Sequence, residues 1–198
     1  MIPAHADLCA FAQDVHDLAK SKGWYDTPRR WSQLLLLIQG EFHEANEDLR
    51  AGRRPGAIFD SAGAELEVVD GVLFYSARIG GVPVIPYDAQ RHGKIAGYLV
   101  EIADVAIRCL DAITFAGTAP LITQPPSALD LAALAKLQSD EFVEGALEIT
   151  QNTNVRDLSD VVRSCLEWCE AHGLPLWAVM RAKHEYNRTR PRKHGKVY

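Results

Sequence analysis

The feature that most constrains this fold is a helix-length apolar run, Leu99 to Ile113, that contains four charged residues. The charges lie three, four and three residues apart, at Glu101, Asp104, Arg108 and Asp111. At 3.6 residues per turn, these intervals place them in one narrow stripe of a helix whose other sides are apolar. The run therefore predicts a helix that is buried around most of its circumference and carries a charged seam.

Carboxylates in a protein interior need a cationic partner, because removing an ion from water costs several kcal/mol. Two partners are compatible with the seam. One is Arg108, which lies four residues after Asp104 and can form an ion pair with it along the helix. The other is a divalent metal ion bound by Glu101 and Asp104.

A second acidic helix favours the metal ion. Glu41 and Glu44 are three residues apart and share, with Asp48, one face of a predicted helix whose first turns are almost entirely apolar. Two buried helices that each present acids three residues apart can place four carboxylates around one point. This all-oxygen set suits Mg²⁺ or Mn²⁺ and offers none of the thiolate or imidazole ligands typical of zinc.

Length and composition indicate one globular domain: 198 residues, 47% of them hydrophobic and 24% charged. A net charge of −5 does not provide the basic surface that a nucleic-acid polymer needs, although a small anionic ligand held through a metal is compatible with it. The chain has no apolar run approaching the roughly 20 residues of a membrane span and no signal-peptide pattern at its start. We therefore expect a cytoplasmic protein that binds neither membranes nor nucleic-acid polymers.

Its four cysteines are expected to be reduced core residues: Cys9, Cys109, Cys165 and Cys169.

Glycine and proline clusters divide the chain into predicted elements. Helices are expected at 5–22, 30–51, 97–116 and 175–189, with a proline-rich linker at 117–127. Residues 57–92 are expected to form a small β-hairpin insertion, because strand-like runs flank Asp70-Gly71, a strong turn signal. This insertion is interpreted as a lid, an oligomer contact or a tolerated surface insertion. The basic tail, 191–198, is either a solvated end or a contact for phosphate.

Two acidic pairs recur later in the chain. Glu141-x-x-Glu144 has the form of Glu41-x-x-Glu44, and Asp157-x-x-Asp160 has the form of Glu101-x-x-Asp104. An ungapped alignment around the second pair also matches a valine, a cysteine, a leucine and a glycine, which indicates an internal duplication. We therefore predict an all-α fold, a helical bundle built from a tandem two-helix repeat with the β-hairpin insertion, in which 128–173 is a second, degenerate copy. The later acids have more polar surroundings, so the first four are expected to form the working site.

The order of these motifs resembles that of the all-α nucleoside triphosphate pyrophosphatases, the superfamily that includes MazG and the dimeric dUTPases. The resemblance rests on the ExxE motif at 41–44, the ExxD motif within 97–111, Lys22-Gly23-Trp24 at the end of the first helix, and Lys183-x-x-Tyr186-Asn187-x-x-Arg190-Pro191. The closing His194-Gly195-Lys196 is similar to the HGGK tail of phage-type MazG-like proteins, with one glycine fewer. A single MazG-like domain over 1–198 is implied. Two features depart from the family: the insertion is long, and compact members lack the second acidic set.

The resemblance also implies the site residues. Metal binding and catalysis would come from the four acids, which would hold Mg²⁺, or Mn²⁺ in its place: Glu41, Glu44, Glu101 and Asp104. The substrate would be bound through its triphosphate by Lys183, Asn187 and Arg190, and Trp24 is a candidate for stacking on its base.

The implied activity is the hydrolysis of a nucleoside triphosphate to a monophosphate and pyrophosphate, a nucleotide-pool house-cleaning reaction, by a homo-oligomer that is a dimer or larger. Two alternatives stay open. One is a non-catalytic helical binding or regulatory protein that keeps its acidic pairs as ion-pair partners. The other is a pyrophosphohydrolase for a different nucleotide metabolite, such as phosphoribosyl-ATP.

Overall fold

A computed structural model describes residues 2–120, 136–151 and 154–195. Helices dominate this described part of the chain: α1 His5–Ser21, α2 Trp31–Arg50, α3 Ala89–His92, α4 Tyr98–Phe115, α5 Ser139–Gln151, α6 Val155–Ala171 and α7 Leu176–Thr189, followed by a 3₁₀ turn at Arg192–Gly195. The predicted mostly helical class is therefore confirmed. The four helices whose bounds were predicted from the sequence (α1, α2, α4 and α7) begin and end within one residue of those bounds.

Helix α4 is the centre of the bundle, as the apolar run predicted. It packs against α1, α2, α6 and α7, and thirteen of its 18 residues are buried, including Glu101. Fully buried side chains such as Ile102 and Leu110 each stabilise the fold by roughly 1.5–3 kcal/mol relative to exposure. Because α4 packs against four other long helices, its polar side chains are placed by contacts on several sides at once.

The start of α4 is held in place by a close approach of two backbone segments. Gly97 has φ 126°, and a Cβ at this position would lie 2.4 Å from the carbonyl oxygen of Ala57. Next to it, Ala96 and Phe59 exchange backbone hydrogen bonds of 2.8 and 2.9 Å. Only glycine fits this position, so the segment before β1 determines where α4 begins.

The insertion forms strands β1 Ile58–Phe59, β2 Glu65–Val69, β3 Val72–Tyr75, β4 Arg78–Ile79 and β5 Val82–Pro83. The first three make an antiparallel sheet in the order β1-β2-β3, and β4 pairs with β5 separately. At the predicted turn, Asp70 and Gly71 both have positive φ, as a tight two-residue hairpin requires. The sheet buries Leu66 and Leu73 in the core and rests on α7, so it is a packed part of the bundle.

The later helices complete the bundle. Helix α5 packs on α2 and α6, and α6 packs on α4. Phe142 of α5 stacks on Trp168 of α6 with ring centroids 4.7 Å apart, and Trp168 is fully buried. Residues 121–127 of the predicted linker and 128–135 of the predicted second copy lie outside the described residues. Cys109, Cys165 and Cys169 are buried and free, whereas Cys9 is only partly buried.

The described part of the basic tail is packed against α1 and the loop that follows it. The backbone N–H of Lys193 donates to the carbonyl oxygen of Lys22 at 2.8 Å, and Arg192 pairs with Asp26. The backbone of Lys193 is thus held by a hydrogen bond, while the side chain of Arg192 is exposed, and both interpretations of the tail stay predictions. Residues 196–198 lie outside the described residues. Across the described helices, none combines the length and the apolar character that crossing a membrane requires.

Candidate functional site

Acidic side chains from α2 and α4 meet in the interior of the bundle. Glu41, Glu101 and Asp104, here called the acid cluster, each offer a carboxylate oxygen, and these oxygens lie within 4.8 Å of one another. Glu41 and Glu101 are 6% and 5% exposed. Glu44, which the sequence groups with them, is exposed at the wall of the adjacent cavity and is not part of the cluster. The expected ring of four acids is thus a group of three with a fourth nearby.

Two cations contact the acid cluster. Nε of Arg108 donates to Oε1 of Glu41 across the α2–α4 interface. Nζ of Lys183, a 2% exposed residue of α7, lies 2.5 Å from Oδ2 of Asp104. The ion pair considered from the sequence, Asp104 with Arg108 along α4, was therefore wrong, because side chains from α2 and α7 face the same stripe and take those partners.

Glu101, the third acid of the cluster, lies in an unfavourable electrostatic environment. Oε2 of Glu101 is buried and has no hydrogen-bond partner among the residues that the structure describes. Burial, followed by the negative charge of Asp104, raises the pKa of Glu101 to about 8, and Lys183 and Lys94 oppose this rise. Burial also raises the pKa of Glu41, against the effect of Arg108. When all three acids are ionised, the two contacting cations leave one negative charge in excess, and a proton on Glu101 removes that excess.

These features fit a divalent metal ion. The donors are all carboxylate oxygens, the set preferred by hard cations, and they come from two rigid helices. An oxygen that is buried without a partner costs free energy, and a cation at this point would provide the missing contact. Glu41, Glu101 and Asp104 are thus able to hold such an ion.

A cavity of about 650 Å³ opens beside the acid cluster. Its walls come from α1, α2, α4, α7 and the loop after α1, and no residue of the 57–92 insertion lines it. The residues that the sequence proposed for the substrate all lie on these walls: Trp24, Lys183, Asn187 and Arg190. Oδ1 of Asn187 is buried and has no hydrogen-bond partner in the described part of the chain. The lid interpretation of the insertion receives no support from this arrangement.

Positive charge surrounds much of the cavity. Besides Lys183 and Arg190, its walls include basic residues that the sequence analysis did not single out as binding residues: Lys22, Arg29, Lys94 and Arg108. Arg108 was considered only as a partner for Asp104. Arg29 and Lys94 lie in irregular segments, where no periodic pattern predicts which side of the backbone faces a cavity.

One part of the cavity wall is aromatic and rigid. Tyr25 stacks on Phe115 with ring centroids 5.2 Å apart, and its hydroxyl donates to Oδ2 of Asp111 at 2.8 Å. Nδ1 of the buried His16 lies 2.7 Å from Oδ1 of the same carboxylate. Asp111 is seven residues after Asp104 on α4, which corresponds to about 10 Å along the helix axis. The aromatic wall is therefore separated from the acid cluster by two turns of α4.

Lys22 ties this region to the end of α7. Its Nζ donates to the carbonyl oxygens of Arg188 and Arg190 at 2.6 and 2.5 Å. The arginine at the end of α7 and the loop that carries Trp24 are thus held together on the same side of the cavity. Arg29 extends the contact, since its guanidinium lies 5.2 Å from the ring centroid of Trp24.

The second acidic set, which comprises Glu141, Glu144, Asp157 and Asp160, makes contacts of a different kind from those of the acid cluster. A carboxylate oxygen of Glu141 accepts from the backbone N–H of Gln138 at 2.9 Å, and Asp157 accepts from that of Asn154 at 2.9 Å. Both are contacts at helix N-termini, where unpaired N–H groups need acceptors. Glu144 and Asp160 are exposed. Within 2–120, 136–151 and 154–195, the acid cluster is the only group of three or more candidate metal ligands.

Comparisons of the chain with protein-family models, with curated proteins and with solved structures found no match. Inference about function must therefore proceed from the geometry and chemistry of the site. Its components are a buried group of carboxylates that suits a divalent cation, a cavity with basic walls that suits an anionic ligand, and an aromatic wall that suits a flat ring.

Proposed function

We propose that this protein is a Mg²⁺-dependent nucleoside triphosphate pyrophosphohydrolase, of the all-α superfamily that its sequence motifs resemble. The observation that carries the proposal is the acid cluster with its unpartnered Glu101 oxygen. Glu41 and Asp104 of this cluster lie in the wall of a cavity that also presents basic and aromatic side chains. A ligand that matches all of these features carries several negative charges at one end and a flat ring at the other. A nucleoside triphosphate has this form.

Glu41, Glu101 and Asp104 would hold Mg²⁺, or Mn²⁺ in its place, at the edge of the cavity. When bound, the ion neutralises charge on phosphate oxygens and makes a water molecule a better nucleophile. Glu44 is exposed on the cavity wall within reach of solvent, which suits a carboxylate that orients a water or accepts its proton.

Side chains on α7 would bind the rest of the triphosphate. Arg190 can form two parallel hydrogen bonds with phosphate oxygens, and the amide of Asn187 can donate another. Trp24 and Tyr25 offer rings on which a base can stack. The products would be a nucleoside monophosphate and pyrophosphate, and the role would be house-cleaning of the nucleotide pool in the cytoplasm. We also propose that the protein forms a homo-oligomer and that its bundle is built from a tandem two-helix repeat.

The test is release of pyrophosphate from a panel of nucleoside triphosphates with Mg²⁺. We expect Asp104→Asn and Glu41→Gln to abolish it, because each removes a charged ligand from the acid cluster. The matched control is Asp160→Asn, since Asp160 is the exposed counterpart of Asp104 in the second acidic set and should retain wild-type activity. Near wild-type rates in both cluster variants would refute the site assignment.

A second candidate is a non-catalytic helical protein in which these acids only form ion pairs. The contacts of Glu41 with Arg108 and of Asp104 with Lys183 favour it, because they already neutralise two of the three acids. Thermal unfolding with and without Mg²⁺ separates the candidates. A metal-binding enzyme gains stability as Mg²⁺ rises, by mass action, whereas a protein with purely structural ion pairs gains none.

A further inference from the structure

Lys183 occupies an unusual position for a residue that is expected to bind phosphate. It is 2% exposed, and its Nζ lies 2.5 Å from Oδ2 of Asp104. Although burial alone would lower the pKa of Lys183, the negative charges of Asp104, Glu101 and Glu41 hold it above its ordinary value. The ammonium group is therefore charged and held by the acids that a divalent ion would use.

A divalent cation and Lys183 compete for the same oxygen atoms. When all three acids are ionised they carry three negative charges, and Arg108 and Lys183 return two positive charges, so one negative charge is in excess. A divalent ion would change that balance to one positive charge in excess. The repulsion between such an ion and an ammonium group on the same carboxylate is strong in a buried site, since the effective dielectric constant there is low.

The side chain of Lys183 has space into which it can move. Lys183 lines the cavity, its side chain is long and flexible, and Asn187 follows it by four residues on α7. Arg190, the residue directly after α7, also lines the cavity. Arg108 pairs with Glu41 of α2 and not with Asp104, so it does not occupy the oxygen that Lys183 holds.

We propose that Lys183 is a resident counter-ion of the acid cluster, which leaves Asp104 and turns into the cavity when a divalent cation binds. The displaced ammonium then joins Asn187 and Arg190 as a ligand for phosphate oxygens. The inference rests on the proposed metal site, and it adds an order to binding: the cation first, the phosphate-bearing substrate second. In this order, the cavity gains its full positive charge only after the cation is present.

Metal affinity tests the competition directly. Lys183→Met removes the competing charge, so titration calorimetry with Mn²⁺ alone should give roughly tenfold or greater tightening relative to wild type. Lys94→Met is the control, because Lys94 also lines the cavity but is exposed and has no ion pair with the acid cluster among the described contacts. Its change in affinity should be clearly smaller. Equal or weaker Mn²⁺ binding by Lys183→Met, or no binding by the wild-type protein, would overturn the inference.

A measurement on the unmodified chain covers the case in which Lys183→Met does not fold. The rate of reductive methylation of Lys183, followed by peptide mass spectrometry, should rise several-fold when Mg²⁺ is added, while that of Lys20, an exposed residue of α1, should not change. A rate for Lys183 that is unaffected by saturating Mg²⁺ would contradict the displacement. Neither readout depends on hydrolysis, so a protein that shows both effects but releases no pyrophosphate would refute the proposed activity alone.

Discussion

Replacement of Glu101 should change the stability of the protein in a way that tests the proposed metal site. Its carboxyl group is 5% exposed, one of its oxygens has no partner in the described part of the chain, and its pKa is raised from the ordinary 4.5 to about 8 by burial and by Asp104. Without a bound cation, the ionised group destabilises the folded state. Glu101→Gln keeps the shape of the side chain and removes the charge, so we expect it to stabilise the metal-free protein at high pH.

The size of this effect follows from linkage. Because the folded protein holds the Glu101 proton more tightly than the unfolded chain, the contribution of Glu101 to stability is most favourable below about pH 4.5, decreases as the pH rises, and levels off above about pH 8. At about 1.4 kcal/mol per pH unit, the difference between 4.5 and about 8 corresponds to about 5 kcal/mol. Glu101→Gln should therefore exceed the wild type by several kcal/mol at pH 8.5, and by almost nothing at pH 4.5.

Urea unfolding in the presence of a chelator, at pH 4.5, 6.5 and 8.5, measures the free energy of unfolding of both proteins. Glu144→Gln is the control, because Glu144 is exposed and its removal should leave the pH dependence of the wild type unchanged. Addition of Mg²⁺ should reverse the ranking, since only the wild type keeps the full set of ligands. The reasoning is refuted if Glu101→Gln is no more stable than wild type at pH 8.5 under metal-free conditions.

Three further perturbations test the supports of the site. Gly97→Ala should destabilise the fold by at least about 2 kcal/mol in urea unfolding, because its Cβ would lie 2.4 Å from the Ala57 carbonyl oxygen; an unchanged midpoint would contradict this. Tyr25→Phe should cost about 1 kcal/mol by the same measurement, since it removes one hydrogen bond to the partly exposed Asp111, and a change near zero would show that water replaces it. Lys22→Met should raise KM for the triphosphate several-fold with little change in kcat, because the end of α7 loses its hydrogen bonds to the Lys22 side chain. Steady-state kinetics, with Lys20→Met as the control, measures this change. Equal KM values for the two variants would show that Lys22 does not position the end of α7 for substrate binding.

Some elements of the fold could be predicted because their signals are local. The spacing of polar residues in α4, the helix at the apolar run that begins α2 and the Asp70-Gly71 turn each depend on a few neighbouring residues, and the structure has these elements. The expected burial of α2 was wrong for its first turns, because Leu36 and Leu37 are exposed. The grouping of Glu101 and Asp104 on one face of α4 has the same origin.

The partners of those side chains could not be predicted in this way. Arg108 lies one turn after Asp104 in the chain but pairs with Glu41, 67 residues away, and Asp104 pairs with Lys183. Glu44 follows Glu41 by three residues, yet it is exposed and does not join the acid cluster. Each outcome depends on how α2 and α7 are rotated about their own axes against α4, which no spacing within one helix determines.

The sequence by itself determined which side chains share a helix face, the approximate ends of α1, α2, α4 and α7, and that the acidic face of α4 is too apolar in its surroundings to remain in water. It did so because helical periodicity and turn preferences act over a few residues. Only the tertiary structure decided that Lys183 and Arg108 are the cations that meet those acids, and that one Glu101 oxygen has no partner among the described residues. It also decided that Tyr25 and His16 both contact Asp111, two turns away. These contacts join residues that are far apart in the chain, and their geometry follows from the packing of whole helices around α4.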